Sequence, residues 1–267
     1  MMEVVVLGSA GWFPRPERQT TCVCVRTPST LCLFDVGSGL ARLAQPEYAW
    51  LLQGDFEVAV FLTHLHLDHI VGVTYLAALF PGRRTTLFVP DVRRAGDGPV
   101  WLQRLVRPPF FPHTLSEFPL PLQLKRAQLG AVSIGECEVT ARLQRHPGGS
   151  LGYRLGDALV VLTDCSPSED AGAFAHGARV LIHEAWTALP DPAGTNPAPH
   201  SSAGEAAEVA AQGEVGELLL CHLHPLLAAG DLERVLTAAR AVFPLTYLAE
   251  DGMRRSVRCS KAPSSLP

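Results

Sequence analysis

The sequence predicts an α/β fold in which two β-sheets pack face to face with helices on their outer sides. Three observations predict it. Short apolar runs of strand length recur along both halves of the chain and alternate with helix-like runs. Hydrophobic residues make up 47% of the 267 positions, enough to bury a large core. Strongly polar residues follow directly on several of the apolar runs, and strand ends are where α/β proteins gather their ligands. The strand pattern alone leaves other α/β layouts open.

Taken in order, residues 3–7 read as a first buried strand, stopped by Gly8-Ser9-Ala10-Gly11. Residues 12–20 form a polar loop. Residues 21–26 and 30–36 read as a strand pair around the turn Thr27-Pro28-Ser29. A helix is expected over 40–52, a strand over 58–62 and a helix-like run over 70–80. A short strand at 86–89 and a helix at 100–106 follow. Residues 107–121, rich in Pro and Phe, are expected to form a loop or flap near the active site. Strands are expected at 122–128, 131–134, 138–145, 150–155 and 158–163, with Gly156-Asp157 as a hairpin turn. A short helix at 168–176, a strand at 179–185 and a Pro/Gly/Asn loop at 189–199 come next. Then follow a helix at 201–212 capped by Ser201 or Ser202, a strand at 217–221, a helix at 231–242 and a strand at 245–249. The expected organisation is a single domain over 1–259, built of two similar halves at about 1–130 and 131–259, with a flexible tail at 260–267.

Composition narrows the function. The formal charge is −4, so no global basic field draws in nucleic acid. Lys125 and Lys261 are the only lysines; the Arg83-Arg84 and Arg93-Arg94 pairs read as solvated surface, with a phosphate-binding rim as the alternative. Cys22, Cys24, Cys32, Cys137, Cys165, Cys221 and Cys259 are odd in number and irregular in spacing, which argues for buried thiols in a reducing, cytoplasmic setting rather than a disulfide framework. No run approaches the length of a membrane span, and the first residues lack the pattern of a secretory signal.

One segment dominates the functional reading: Thr63-His64-Leu65-His66-Leu67-Asp68-His69, with an apolar strand before it and an apolar helix-like run after it. Three imidazoles and a carboxylate so close together would repel or desolvate one another without a cation between them, and His and Asp are ligands for borderline divalent metals. His146, Asp164 and His222 each follow a strand and would collect in one cleft. His183 reads as a packed, hydrogen-bonded residue, His224 as loop, and His113 and His176 as surface. Cys165 is set aside because neighbours along a strand face opposite ways.

The H-x-H-x-D-H signature, followed by an isolated His, an Asp and a His at strand ends, resembles the metallo-β-lactamase superfamily over most of the chain. The resemblance implies a four-layer αββα sandwich of two mixed sheets flanked by helices, holding two divalent metal ions, Zn²⁺ or else Mn²⁺ or Fe²⁺. It implies that His64, His66 and His146 hold the first metal, that Asp68, His69 and His222 hold the second, and that Asp164 bridges them. Asp35 would brace the signature loop by hydrogen bonds. Pro199-His200-Ser201-Ser202, Ile182-His183-Glu184-Ala185 and Ala249-Glu250-Asp251-Gly252-Met253 are similar to segments of the ribonuclease Z branch. Only 18 residues separate His146 from Asp164, room for a hairpin but not for the long basic arm with which ribonuclease Z enzymes grip transfer RNA.

The resemblance therefore implies a metal-dependent phosphodiesterase in which a hydroxide shared by the metals attacks a cyclic or small nucleotide-like phosphodiester. Asp68 is the expected orienter of that nucleophile. His200 is the candidate for stabilising phosphoryl charge or protonating the leaving group, and Glu184 for polarising or bracing His200. The partner is then a small phosphodiester, with nucleic acid not favoured, no membrane and a homodimer open. Rival readings are tRNA 3′ processing, hydrolysis of a lactone, thioester or β-lactam, and a non-catalytic binding module on the same scaffold.

Overall fold

The computed structural model describes residues 1–91, 96–189 and 200–258. Arg93-Arg94, the loop at 190–199, Cys259 and the expected tail lie outside the described residues.

Two sheets form the body of the chain. The first contains β1 (Met2–Gly8), β2 (Cys22–Arg26), β3 (Thr30–Phe34), β4 (Glu57–Phe61), β5 (Thr85–Val89), β6 (Leu122–Arg126) and β14 (Arg254–Val257), in the order β14-β1-β2-β3-β4-β5-β6. The second contains β7 (Gly130–Ile134), β8 (Cys137–Gln144), β9 (Ser150–Leu155), β10 (Leu159–Leu162), β11 (Val180–Glu184), β12 (Glu217–Cys221) and β13 (Thr246–Leu248), in reverse chain order from β13 to β7. Both sheets are mixed: β3 to β6 run parallel, as do β10 to β13, while the remaining pairs are antiparallel.

Strand alternation builds the layers. In β3 and β4, Leu31, Leu33, Val58 and Val60 face outward into a helical cluster, whereas Cys32, Phe34, Ala59 and Phe61 face inward. In β12, Leu219 and Cys221 meet that inner layer, and Leu218 and Leu220 face the helices α4 (Ala171–Ala175), α5 (Ala203–Gln212) and α6 (Ala229–Arg240). The result is helix, sheet, sheet, helix, the expected α/β sandwich. Phe61 stacks on Phe88, and Tyr153 from the second sheet packs against Phe34 and Phe61.

Helical segments depart from expectation in informative ways. The helix expected over 40–52 is two 3-10 turns, Ser38–Ala44 and Pro46–Leu52, parted at Gln45, which is extended as residues before proline tend to be. The run at 70–80 breaks into α1 (Leu67–Ile70), a 3-10 turn (Val71–Tyr75) and α2 (Leu76–Leu79). Gly72 causes this break: its N–H donates to Val36 O at 2.7 Å, outside any helix ladder, and a Cβ there would stand 2.6 Å from the same oxygen. The remaining helix, α3 (Gly98–Leu105), lies where one was expected. Ser202, with Glu205, closes a capping box at the start of α5.

Residues 107–121 do not form the expected flap. Leu115, Phe118 and Leu120 are buried in the outer core of the first sheet, and Pro121 O accepts from Thr85 N at the beginning of β5, the opposite end of the parallel strands from the signature loop. The six cysteines in the described residues are buried and free.

The sheets are also tied together where the signature loop begins. Tyr153 Oη donates to Leu62 O at 2.6 Å and Leu151 N donates to Thr63 O at 2.9 Å. Tyr153→Phe leaves a buried carbonyl without its donor and is expected to cost about 1–3 kcal/mol of unfolding free energy, read by urea denaturation with an unchanged m value.

Candidate metal centre

Because β3 and β4 are parallel neighbours, and β8 and β10 to β12 share one direction, all their carboxyl ends lie along one edge of the sandwich. Asp35 follows β3, the signature follows β4, His146 follows β8, Asp164 follows β10, and His222 follows β12. Asp35, Asp164 and His222 leave their strands with left-handed backbone, at φ of 56°, 52° and 46°. Side-chain-bearing residues adopt this region at a cost, and such strain concentrates at functional sites.

Asp164 is the centre. Its Oδ1 lies 3.9 Å from His64 Nε2 and 3.5 Å from His146 Nε2, while its Oδ2 lies 3.0 Å from both His69 Nε2 and His222 Nε2. Asp68 Oδ2 closes the second side, 3.3 Å from His69 Nε2 and 3.6 Å from His222 Nε2. Donor atoms thus gather as His64, His66, His146 and Asp164 on one side and as Asp68, His69 and His222 on the other. Ligands about 2.0–2.2 Å from a tetrahedral ion stand roughly 3.3–3.6 Å from one another, the scale seen here.

Hydrogen bonds behind the ring nitrogens set which of them face inward. Fully buried Asp35 accepts from Thr63 N at 2.7 Å, from Thr63 Oγ1 at 2.9 Å and from His69 Nδ1 at 2.7 Å. With the Thr63 hydroxyl proton given to Asp35, Thr63 Oγ1 accepts from His64 Nδ1 at 2.9 Å. Both rings therefore carry a proton on Nδ1 and turn Nε2 toward the cluster. On the far side Glu184 accepts from Cys165 N at 2.8 Å and Ser201 N at 3.0 Å through Oε1; its Oε2 meets His200 Nδ1 at 2.6 Å and His222 Nδ1 at 3.5 Å. Gly11 makes room for the His222 ring, since a Cβ there would lie 2.5 Å from its Cε1.

The electrostatics call for positive charge. Burial alone would raise the Asp68 and Asp164 carboxyls, yet the imidazoles beside them hold both well below the usual carboxylate range. Burial disfavours a charged His222, but Asp164, Asp68 and Glu184 override it and push the ring up to about 10. His69 is raised in the same way, chiefly by Asp164. Where carboxylates are fewer, burial wins: His64 is driven well below its ordinary value and His146 down to about 4. Among the described residues, His64 Nε2 and Asp164 Oδ2, both turned toward the cluster, are buried without a hydrogen-bond partner of acceptable geometry. Unpaired acceptors beside clustered carboxylates are what divalent cations satisfy, so the residues present fit such ions.

A cleft of about 140 Å³ lies beside His64 and His66, walled by Leu65, Pro90, Asp91 and 147–149. A larger cavity, about 460 Å³, opens between the sheets at the β6–β7 edge and contains none of these donors. The donor chemistry marks the smaller one as the site.

Residues not singled out in the sequence complete the rim. Trp186 stacks on His200 with ring centroids 4.4 Å apart, and Trp12 N donates to Asp68 Oδ2 at 2.8 Å. Thr63 lies inside the signature but carries no metal-ligand character, and Glu184 holds His222 as well as His200. His183 is packed, with Nδ1 on the Glu184 carbonyl at 3.0 Å. His224, expected as loop, does lie beyond β12, and its ring packs edge-on against Trp186 at 4.5 Å.

Fold and cluster together define a metal-dependent hydrolase of the αββα type. A family model described as a beta-lactamase superfamily domain matches residues 32–223, and the chain belongs to that superfamily. Within it the chain is ribonuclease Z-like: it is 28% identical to "Ribonuclease Z" of Methanothermobacter thermautotrophicus, over 97% of this chain and 97% of that protein. That alignment spans 307 positions against 267 residues here, so the relative carries at least 40 positions that this chain lacks. Among solved structures it is similar to the metallo-beta-lactamase fold protein YhfI from Bacillus subtilis, with a TM-score of 0.75, 21% identity and coverage of 96% of this chain and 100% of that one. A diphosphatase from the PhnP family gives a TM-score of 0.70 at 18% identity, covering 98% of this chain and 100% of that one. None of the helices in the described residues is long and apolar enough to cross a membrane.

Asp35→Asn replaces an acceptor oxygen by a donor and sets it against the Thr63 or His69 proton. It is expected to weaken Zn²⁺ binding about 10- to 100-fold, read by competition with a chromophoric chelator. Adding Zn²⁺ to chelator-stripped wild type is expected to raise its melting temperature, because only the folded chain assembles the donor set; differential scanning calorimetry reads the shift.

Proposed function

We propose that the chain is a phosphodiesterase that uses two divalent ions, His64, His66 and His146 holding one, Asp68, His69 and His222 the other, with Asp164 shared between them. The observation that carries this reading is the placement of His200. One of its ring nitrogens lies with a carboxylate oxygen of Asp164 and a ring nitrogen of His222 in a group spanning no more than 4.8 Å, and its ring is held by Glu184 on one side and Trp186 on the other. An alkoxide leaving from phosphorus is a strong base and needs a proton; an imidazole fixed beside the cation-binding cluster can supply it. A pair of cations bound there supplies Lewis-acid stabilisation of the phosphoryl oxygens and an activated water.

The chain's own groups do the rest. Asp68, fixed by the Trp12 amide, orients the attacking water. His200 uses Nδ1 on Glu184, which leaves Nε2 to meet the departing oxygen. Glu184 positions the ring. Zn²⁺, Mn²⁺ and Fe²⁺ all suit these ligands.

Small or cyclic nucleotide-like esters are the favoured substrates. β9 and β10 are joined by a tight turn at Gly156-Asp157, so residues 147–163 hold no arm that could grip a folded RNA, and the net charge of −4 adds no long-range attraction to one. Cleavage of a transfer RNA precursor is the second reading, favoured by the end-to-end likeness to ribonuclease Z sequences.

Zn²⁺- or Mn²⁺-loaded protein is expected to hydrolyse bis(p-nitrophenyl) phosphate and 2′,3′-cyclic nucleotides in preference to nitrocefin, lactones and precursor tRNA. His200→Ala is expected to keep its metals, measured by elemental analysis, while kcat for a 2′,3′-cyclic nucleotide, whose leaving group is an alkoxide, falls about 10²- to 10⁴-fold. Undiminished turnover in that variant would remove His200 from the mechanism.

A further inference from the structure

Trp12 is the most unusual residue in contact with the metal donors. It is large, apolar and 60% exposed, and it takes left-handed backbone at φ 62°. A loop that needed only this turn would favour glycine there, as non-glycine residues enter the region at a cost. The backbone is held by chemistry: the Trp12 amide donates to Asp68 Oδ2, and the preceding Gly11 N donates to Leu223 O at 3.0 Å beside His222. The indole is thus anchored one residue from the metal donors and left open to solvent.

It also ends a chain of rings. Trp12 packs edge-on against Phe13 at 5.1 Å and His224 at 6.0 Å; His224 packs on Trp186, and Trp186 stacks on His200 and, at 5.5 Å, on His222. Phe13 and His224 support the indole edge-on and leave most of its area uncovered. An exposed indole with an anchored backbone, standing beside a cation site, is how proteins hold a nucleobase through its π-face while cations hold its phosphate.

We infer that Trp12 is the base platform of the site: a nucleoside whose phosphate is bound by cations held at Asp68 and Asp164 stacks its base on the Trp12 indole. This rests on the phosphodiesterase reading with its nucleotide-like substrate and adds the residue that meets the base. The contact is made by a π-face, so it selects for aromaticity with little choice among bases.

The test separates base from phosphate. Affinities of Zn²⁺-loaded wild type, Trp12→Phe, Trp12→Leu and Trp12→Ala for adenosine 5′-monophosphate and for ribose 5-phosphate are measured by isothermal titration calorimetry. Trp12→Ala and Trp12→Leu are expected to weaken adenosine 5′-monophosphate binding about 10- to 100-fold relative to ribose 5-phosphate, while Trp12→Phe keeps the ratio within about threefold of wild type. In hydrolysis, the ratio of kcat/KM for bis(p-nitrophenyl) phosphate over dimethyl phosphate is expected to fall about tenfold or more in the same two variants, mostly through KM. Leu preserves bulk and Ala does not, so a shared loss points to the aromatic face rather than to a collapsed loop. An unchanged nucleotide-to-sugar ratio in both variants overturns the platform and leaves the phosphodiesterase reading standing. Failure of wild type to hydrolyse any phosphodiester removes that reading, while the binding ratio still decides the role of Trp12.

Discussion

The structure turns on one buried carboxylate. Asp164 lies with one oxygen among His64 and His146 and the other between His69 and His222, so the two sheets meet in a shared charge. Burying that charge is costly unless it is compensated. The compensation fixes much else: which nitrogen of each ring faces inward, why Asp35 and Glu184 stand behind the rings, and why three strand ends turn through strained backbone to reach the same point.

The sandwich architecture makes that meeting possible. Parallel strands end side by side, so polar residues far apart in the chain converge without long loops. The inner layer between the sheets is apolar and rich in aromatic rings, and Tyr153 and Leu151 link the sheets beside the signature loop. Each bracing residue settles a neighbour's orientation. Thr63 sets the His64 tautomer, Gly11 clears space for His222, and Glu184 joins the chain after Asp164 to the segment that carries His200 and Ser201. The site is rigid because its supports are backbone groups and packed rings.

Much of this was legible in the sequence. Short continuous apolar runs are a strong strand signal, and those at 30–34, 57–61 and 217–221 display it plainly. The signature is dense enough to announce metal chemistry, and strand-end His146, Asp164 and His222 were visible as its partners. Helices read less well. Pro46 and Gly72 broke apolar runs that periodicity alone would join, the first through the conformation of Gln45 and the second through a contact with Val36 far from it in pattern. β14 was missed because its short polar run, Arg254–Val257, gains order only by pairing with β1. Residues 107–121 were misplaced because composition shows that a segment is irregular but not which end of a sheet it caps. The aromatic rim was hidden for a related reason: Trp12 and Trp186 lie far apart in the chain, and neither bears a group that suggests ligation.

The central claim is that the donors around Asp164 hold two metal ions. Anomalous diffraction at the zinc edge, from crystals grown with Zn²⁺, tests it most directly. Two peaks flanking the Asp164 carboxylate, one toward His64 and His146 and one toward His69 and His222, are the predicted result. A single peak away from Asp164, or none at this edge of the sandwich, would contradict the account.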